Sequence, residues 1–163
     1  MKKFVTMLLA VVLALGCTGL VACGGNEETN ELHVSIASEP DTLDPALNSA
    51  VDGATMALHL FSGLVKYDAT GKLVADCAKE LPEGTLNEDG TTTYVFELKD
   101  GMKWSNGDAL KASDFEFSWK RAASTTLAAD YSYMFDVIKG FGGDDVDGLA
   151  PIAVAADDTA NTL

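Results

Sequence analysis

The sequence predicts an α/β fold, a mixed sheet of short strands with helices packed on it. Three observations predict it. Residues 32–37 (LHVSIA) alternate apolar and polar, and residues 91–98 (TTTYVFEL) are rich in β-branched and aromatic side chains; both patterns suit strands. Residues 49–61 carry Val51, Met56, Ala57, Leu60 and Phe61 at spacings suited to a packed helix. Residues 113–122 then show a marked helix start followed by Phe115, Trp119 and Ala122 on one face.

The elements follow in order. His33 falls on the polar face of the first strand. Two prolines, Pro40 and Pro45, make residues 38–45 (SEPDTLDP) an extended, turning segment, in which Asp44 shapes the turn. His59 lies inside the 49–61 helix as a partly buried structural residue. Thr70-Gly71 is a turn, and residues 73–80 (LVADCAKE) read as a short strand or extended piece followed by a short helix, with Cys77 a buried small hydrophobe. Residues 87–90 (NEDG) turn the chain into the 91–98 strand. That strand places Tyr94, Phe96 and Leu98 on one face and is expected to pair near residues 102–104 across the 99–101 turn.

Asn106-Gly107 is a strong turn signal. Ser113 and Glu116 fit a capping box, with Asp114 and Glu116 at the positive end of the helix dipole and Lys120 and Arg121 toward its negative end. Residues 130–139 (DYSYMFDVIK) read as another helix ended by Gly140, and residues 142–148 as a polar loop. Asp145, Val146, Asp147 and Gly148 have part of the spacing of a calcium loop but lack its first ligand pair and later glutamate, so an acidic surface turn is expected. Residues 151–156 (PIAVAA) read as a further strand, turned by residues 157–159.

The chain has 163 residues, about one domain of common size, with 25 acidic against 11 basic residues. An acidic balance excludes nucleic acid as a partner, since phosphate contact needs a basic surface. Apolar residues make up 47%, enough to fold a core. Cys17, Cys23 and Cys77 form no disulfide or metal framework, and His33 and His59 complete no zinc set. No nucleophile, base and orienting group can be assembled, so an enzyme is not expected.

Residues 1–22 read as a targeting segment. Lys2 and Lys3 precede an almost unbroken apolar run over residues 4–15, too short to span a membrane. Leu20, Val21, Ala22 and Cys23 resemble a bacterial lipobox, which implies acylation of Cys23 (palmitate on sulfur) and cleavage before it; Cys17 is a second candidate. Residues 23–31 then form a small, polar, acidic tether. Loss of residues 1–22 removes two lysines and no acid, taking the net charge from −14 to −16. Anionic lipid would repel such a body, so the acyl chains must hold it.

Four strings carry a wider resemblance: EPDTLDP, LFSGLVKYD, DGTTTYVFELKDGMKWSNGD and DFEFSWKR. Together they resemble family 5 of the extracellular solute-binding proteins, the oligopeptide-binding lipoproteins of peptide ABC transporters, over essentially all of residues 32–163. The resemblance implies a periplasmic-binding-protein type II clamshell, of which this chain looks like the N-terminal portion. It implies a monomeric receptor on the outer face of the cell membrane, or in the periplasm where there are two membranes. That receptor binds an oligopeptide and hands it to a transporter permease, with no cofactor or metal. Ser49, Ala50 and Val51 align with a stretch whose backbone pairs with the peptide, and Tyr131, or Tyr133, with a tyrosine bordering the cleft; core packing is the other reading of both tyrosines. Two alternatives stand beside it: a surface lipoprotein that senses peptides or adheres without transport, and a receptor of the same fold for a dipeptide, nickel chelate, haem or sugar.

Overall fold

The computed structural model describes residues 32–36 and 38–163. The leader, the tether and Cys23 lie outside the described residues. Two units divide between Ser35 and Ile36. Of the first, residues 32–35 form neither helix nor strand. The first strand expected over residues 32–37 is not formed among the described residues: residues 32–36 take no place in either of the two described sheets.

The second unit holds α1 (Val51–Leu60), β1 (Val65–Tyr67), β2 (Leu73–Ala75), β3 (Thr85–Leu86), β4 (Thr92–Thr93), α2 (Ala112–Ala122) and a 3-10 turn (Ser132–Phe135). The α/β class is as predicted. β1 and β2 are antiparallel with Lys66 opposite Val74, and β3 and β4 are antiparallel with Leu86 opposite Thr92. The β1–β2 turn is built on Asp68, whose Oδ1 accepts from the N–H groups of Thr70 and Lys72 at 2.8 and 3.0 Å, while Gly71 takes φ +80°.

Residues 91–98 are shared between two ladders, which corrects the predicted pairing. Their first half pairs with β3. Their second half lies between residues 77–79 and 161–163: the N–H of Lys79 donates to Glu97, that of Lys99 to Cys77, that of Leu98 to Asn161, and Phe96 and Leu163 exchange bonds at 2.8 and 3.0 Å. Residues 102–104 instead close their own hairpin with residues 108–110 around Gly107 (φ +95°). The short helix expected after Ala75 is absent for the same reason, because residues 77–79 are spent on this ladder.

Two apolar clusters make the core. The first joins Leu64, Cys77, Leu98, Ala112 and Phe115; the second joins Ala123, Ala150 and Ile152, and Trp119 packs against both. Trp119 also meets Phe135 edge to face, with ring centroids 6.0 Å apart. Helix α2 thus lies across the two clusters, with Ala112, Phe115 and Trp119 inward; burying a side chain such as Phe115 is worth about 2 kcal/mol. Its start differs from the predicted box. Lys111 is the N-cap, and the Asp114 carboxylate accepts its N–H at 2.9 Å. Ser113 lies inside the helix, its N–H and hydroxyl both donating to Asp158 at 2.9 and 2.8 Å. Glu116 is turned away from the N-terminus, bound to Lys120 and to the N–H of Ala156. At the far end the Lys120 carbonyl, left without a helical partner, accepts the N–H of Ala150 at 2.9 Å.

Residues 130–139 form only the 3-10 turn, followed by tight turns to Gly140. Residues 151–156 are not a strand: Ala153 donates to Lys139, and Val154 back to Ile152. Residues 130–139 spend their backbone groups on local turn bonds, whereas residues 151–156 bond Lys139 and the Glu116 carboxylate singly, so neither stretch builds a ladder. No described helix is long and apolar enough to cross a membrane.

Candidate ligand-binding site

The turn before α1 is made by one aspartate. The Asp44 carbonyl accepts the N–H groups of Leu47 and Asn48 at 3.1 and 3.0 Å, and its carboxylate accepts that of Ala46 at 3.0 Å. Arg121, in the last turn of α2, then closes on the same carboxylate through both terminal nitrogens, at 3.0 and 2.6 Å. The guanidinium holds the Asp44 carboxyl below its ordinary range, and the carboxylate raises Arg121 in return.

This turn delivers residues 49–51. Ala50 is extended (φ −114°, ψ 153°) and serves as the N-cap of α1. Its N–H donates to Asn48 Oδ1 at 3.4 Å, and its carbonyl accepts from Asn48 Nδ2 at 3.1 Å and from the N–H of Ala54 at 2.9 Å. In an extended backbone the flanking groups point the opposite way. The Ser49 carbonyl and the Val51 N–H therefore face away from Asn48, and neither has a hydrogen-bond partner among the described residues. That pair, one acceptor and one donor on one side of an extended residue, is what a strand offers a neighbour. Ser49 is exposed, and the Val51 side chain is 85% exposed. Beyond it, the hydroxyl of Ser38 donates to Asp52, which lies in the first turn of α1 and is lowered in pKa by that bond and by the N–H of Gly53.

Tyr131 and Tyr133 flank the start of the 3-10 turn with their rings 5.9 Å apart, 50% and 54% exposed, so neither is a core residue. No hydrogen bond or ring contact among the described residues joins them to residues 49–51. A separate open depression of about 260 Å³ is lined by Phe117, Arg121, Thr126, Leu127 and Asp147, with none of the predicted site residues in its wall.

His59, expected to be partly buried, is exposed on α1; its Nδ1–H donates to the Thr55 carbonyl at 2.7 Å. Four residues apart on one helix, the ring satisfies itself locally without entering a core. Asp145 accepts the N–H and hydroxyl groups of Thr125 and Thr126. No group of three or more metal-ligating side chains occurs among the described residues. Sequence reasoning missed the Asp44–Arg121 pair. Both residues sat in the quoted strings, but a contact across 77 positions leaves no local signal.

Residues 72–160 match the family described as bacterial extracellular solute-binding proteins, family 5 Middle. The chain is 35% identical over 151 residues to the oligopeptide-binding protein OppA of Bacillus subtilis (strain 168), covering 86% of this chain and 27% of that protein. It is 34% identical over 141 residues to the dipeptide-binding protein of Lactococcus lactis subsp. cremoris (strain MG1363), covering 86% and 25%. Among solved structures, Listeria monocytogenes OppA bound to peptide matches with a TM-score of 0.69 and 30% identity, over 82% of this chain and 26% of that one. The chain thus spans about a quarter of the length of the relatives it matches.

Proposed function

The chain belongs to the bacterial extracellular solute-binding proteins, family 5, and from that membership we propose that it serves as a lipid-anchored receptor that binds oligopeptides and delivers them to an ABC importer. The observation that carries the reading is the similarity to a peptide-bound OppA over 82% of this chain. The geometry of residues 49–51 supports it. An extended peptide added alongside them would accept from the Val51 N–H and donate to the Ser49 carbonyl, main chain to main chain. Such pairing gives affinity without reading side chains, which suits a receptor for peptides of varied sequence. Tyr131 or Tyr133 then contributes an exposed ring to border the ligand.

The receptor works outside the membrane as a monomer, held by acyl chains on Cys23. Two chains anchor stably where one is marginal. The peptide leaves unchanged to the permease, so the protein acts by binding and not by catalysis.

A second reading, a dipeptide receptor, is favoured by the 34% identity to the dipeptide-binding protein of Lactococcus lactis. Calorimetry on the complete gene product separates the two. Binding of longer peptides at micromolar Kd or tighter, with dipeptides weak, is expected. Preference for dipeptides moves the ligand to the second reading, and no heat with either class overturns the peptide reading.

A further inference from the structure

Residues 49–51 are held in place by polar groups more than by apolar burial. Val51 and Leu58 of α1 are largely exposed, and Gly53 is the one buried residue of that helix. What fixes the segment is a chain of hydrogen bonds running back to α2. We infer that Arg121 is a positioning residue for ligand binding: by clamping Asp44 it fixes the turn over residues 44–48, and through Asn48 it sets the direction of the Ser49 carbonyl and the Val51 N–H. This inference rests on the peptide-receptor reading above.

Each link is visible. Helix α2 is a fixed point, because its Phe115 and Trp119 pack in the core. Arg121 grips both carboxylate oxygens of Asp44, so the carboxylate can neither rotate nor slide. The same aspartate binds three successive N–H groups, those of Ala46, Leu47 and Asn48. Asn48 then brackets Ala50 with two bonds, accepting its N–H and donating to its carbonyl. Gly53 is an independent sign that this bracket is built in. A Cβ there would lie 2.0 Å from Asn48 Oδ1 and 3.2 Å from the Thr42 carbonyl, so the Asn48 side chain fits only against a glycine.

The test uses the complete gene product and two readouts, peptide Kd and amide hydrogen exchange. Arg121→Gln should raise the Kd about tenfold, a change of about 1.4 kcal/mol. It should also speed exchange at Ala46, Leu47, Asn48 and Ala50 while leaving Phe96 and Leu98 protected. Arg121→Lys keeps the charge and loses the fork, so it should fall between. Gly53→Ala perturbs the bracket without touching the ion pair and should reproduce the weaker binding. It also decides the matter if Arg121→Gln exposes the Phe96 and Leu98 amides by failing to fold. Faster exchange at residues 46–50 with unchanged Kd overturns the inference. So does a wild-type Kd in Gly53→Ala protein that keeps Phe96 and Leu98 protected. Wild-type protein that binds no peptide fails the peptide reading itself, and the ligand half of the inference with it.

Discussion

Replacing Leu98 with alanine tests the account of the core most directly. Leu98 is fully buried, and its backbone sits in the central ladder: its N–H donates to Asn161 at 2.9 Å, and its carbonyl accepts from Asn161 Nδ2 at 3.0 Å. Leu98→Ala leaves those bonds intact and removes only the side chain from among Leu64, Cys77, Ala112 and Phe115. Such deletions cost 2–5 kcal/mol, depending on how far the site collapses. Here collapse is limited. Cys77 is pinned by the same ladder, Leu64 by the bonds that its carbonyl accepts from Asp76 and Ala78, and Ala112 has only a methyl group, with no rotamer to swing inward. A loss of about 3–4 kcal/mol is expected, a large share of a typical domain's stability. Urea unfolding with unchanged m value is the assay. Leu86→Ala is the control: Leu86 is 74% exposed, and its replacement should stay within about 0.5 kcal/mol. If Leu98→Ala costs no more than Leu86→Ala, the ladder and its apolar cluster are not the core.

Three further outcomes are expected. Gly140 has φ +93°, and a Cβ there would lie 2.3 Å from the Pro151 carbonyl oxygen, a backbone atom with no freedom to move aside. Gly140→Ala should cost about 2–4 kcal/mol, against about 1 kcal/mol for Gly142→Ala, where φ is +78° but space is open; equal costs in denaturant melts would refute the steric part. The Asp44 carboxyl is held below its ordinary 3.8 by the Arg121 hydrogen bonds, so the pair contributes stability above that pH and loses it as pH falls through the lower folded pKa. The gap in stability between wild type and Asp44→Asn, about 1–2 kcal/mol at neutral pH, should close in pH-resolved urea melts only as pH falls below the ordinary carboxylate range; a gap that closes above it would refute the pairing. Cys23→Ser should abolish fatty-acid labelling and release the protein from membranes; undiminished labelling would move the anchor to Cys17.

What could be read in the sequence were features whose cause is local. The turns at Gly71, Gly90 and Gly107 all take positive φ, and the helix around Phe115 and Trp119 lies where its periodicity puts it. The misreadings arose where a distant group competed with a local rule. Ser113 is a good cap residue, but Asp158, 45 positions on, takes its hydroxyl and N–H and leaves the cap to Lys111 and Asp114. Residues 91–98 were recognisable as strand, but their partners at 77–79 and 161–163 were not, since strand propensity carries no address. The candidate site divides in the same way. The prominence of residues 49–51 came through family resemblance, whereas Arg121 and Asp44, which hold them, became visible only once the chain was folded.

The central ladder also bears on how the protein is made. Phe96 and Leu98 find their partners in residues 161–163, and the Asn161–Leu98 bond spans 63 positions. A ribosome releases the chain from its N-terminus, so this edge emerges well before the segment that covers it. During that interval the Leu98 side chain and its unpaired amide are open to other hydrophobic surfaces. Closing so long a loop costs entropy before any contact rewards it. The nascent chain therefore stays unfinished at its centre until residues 161–163 have cleared the exit tunnel, and any holdase that meets it in that window finds Leu98 uncovered.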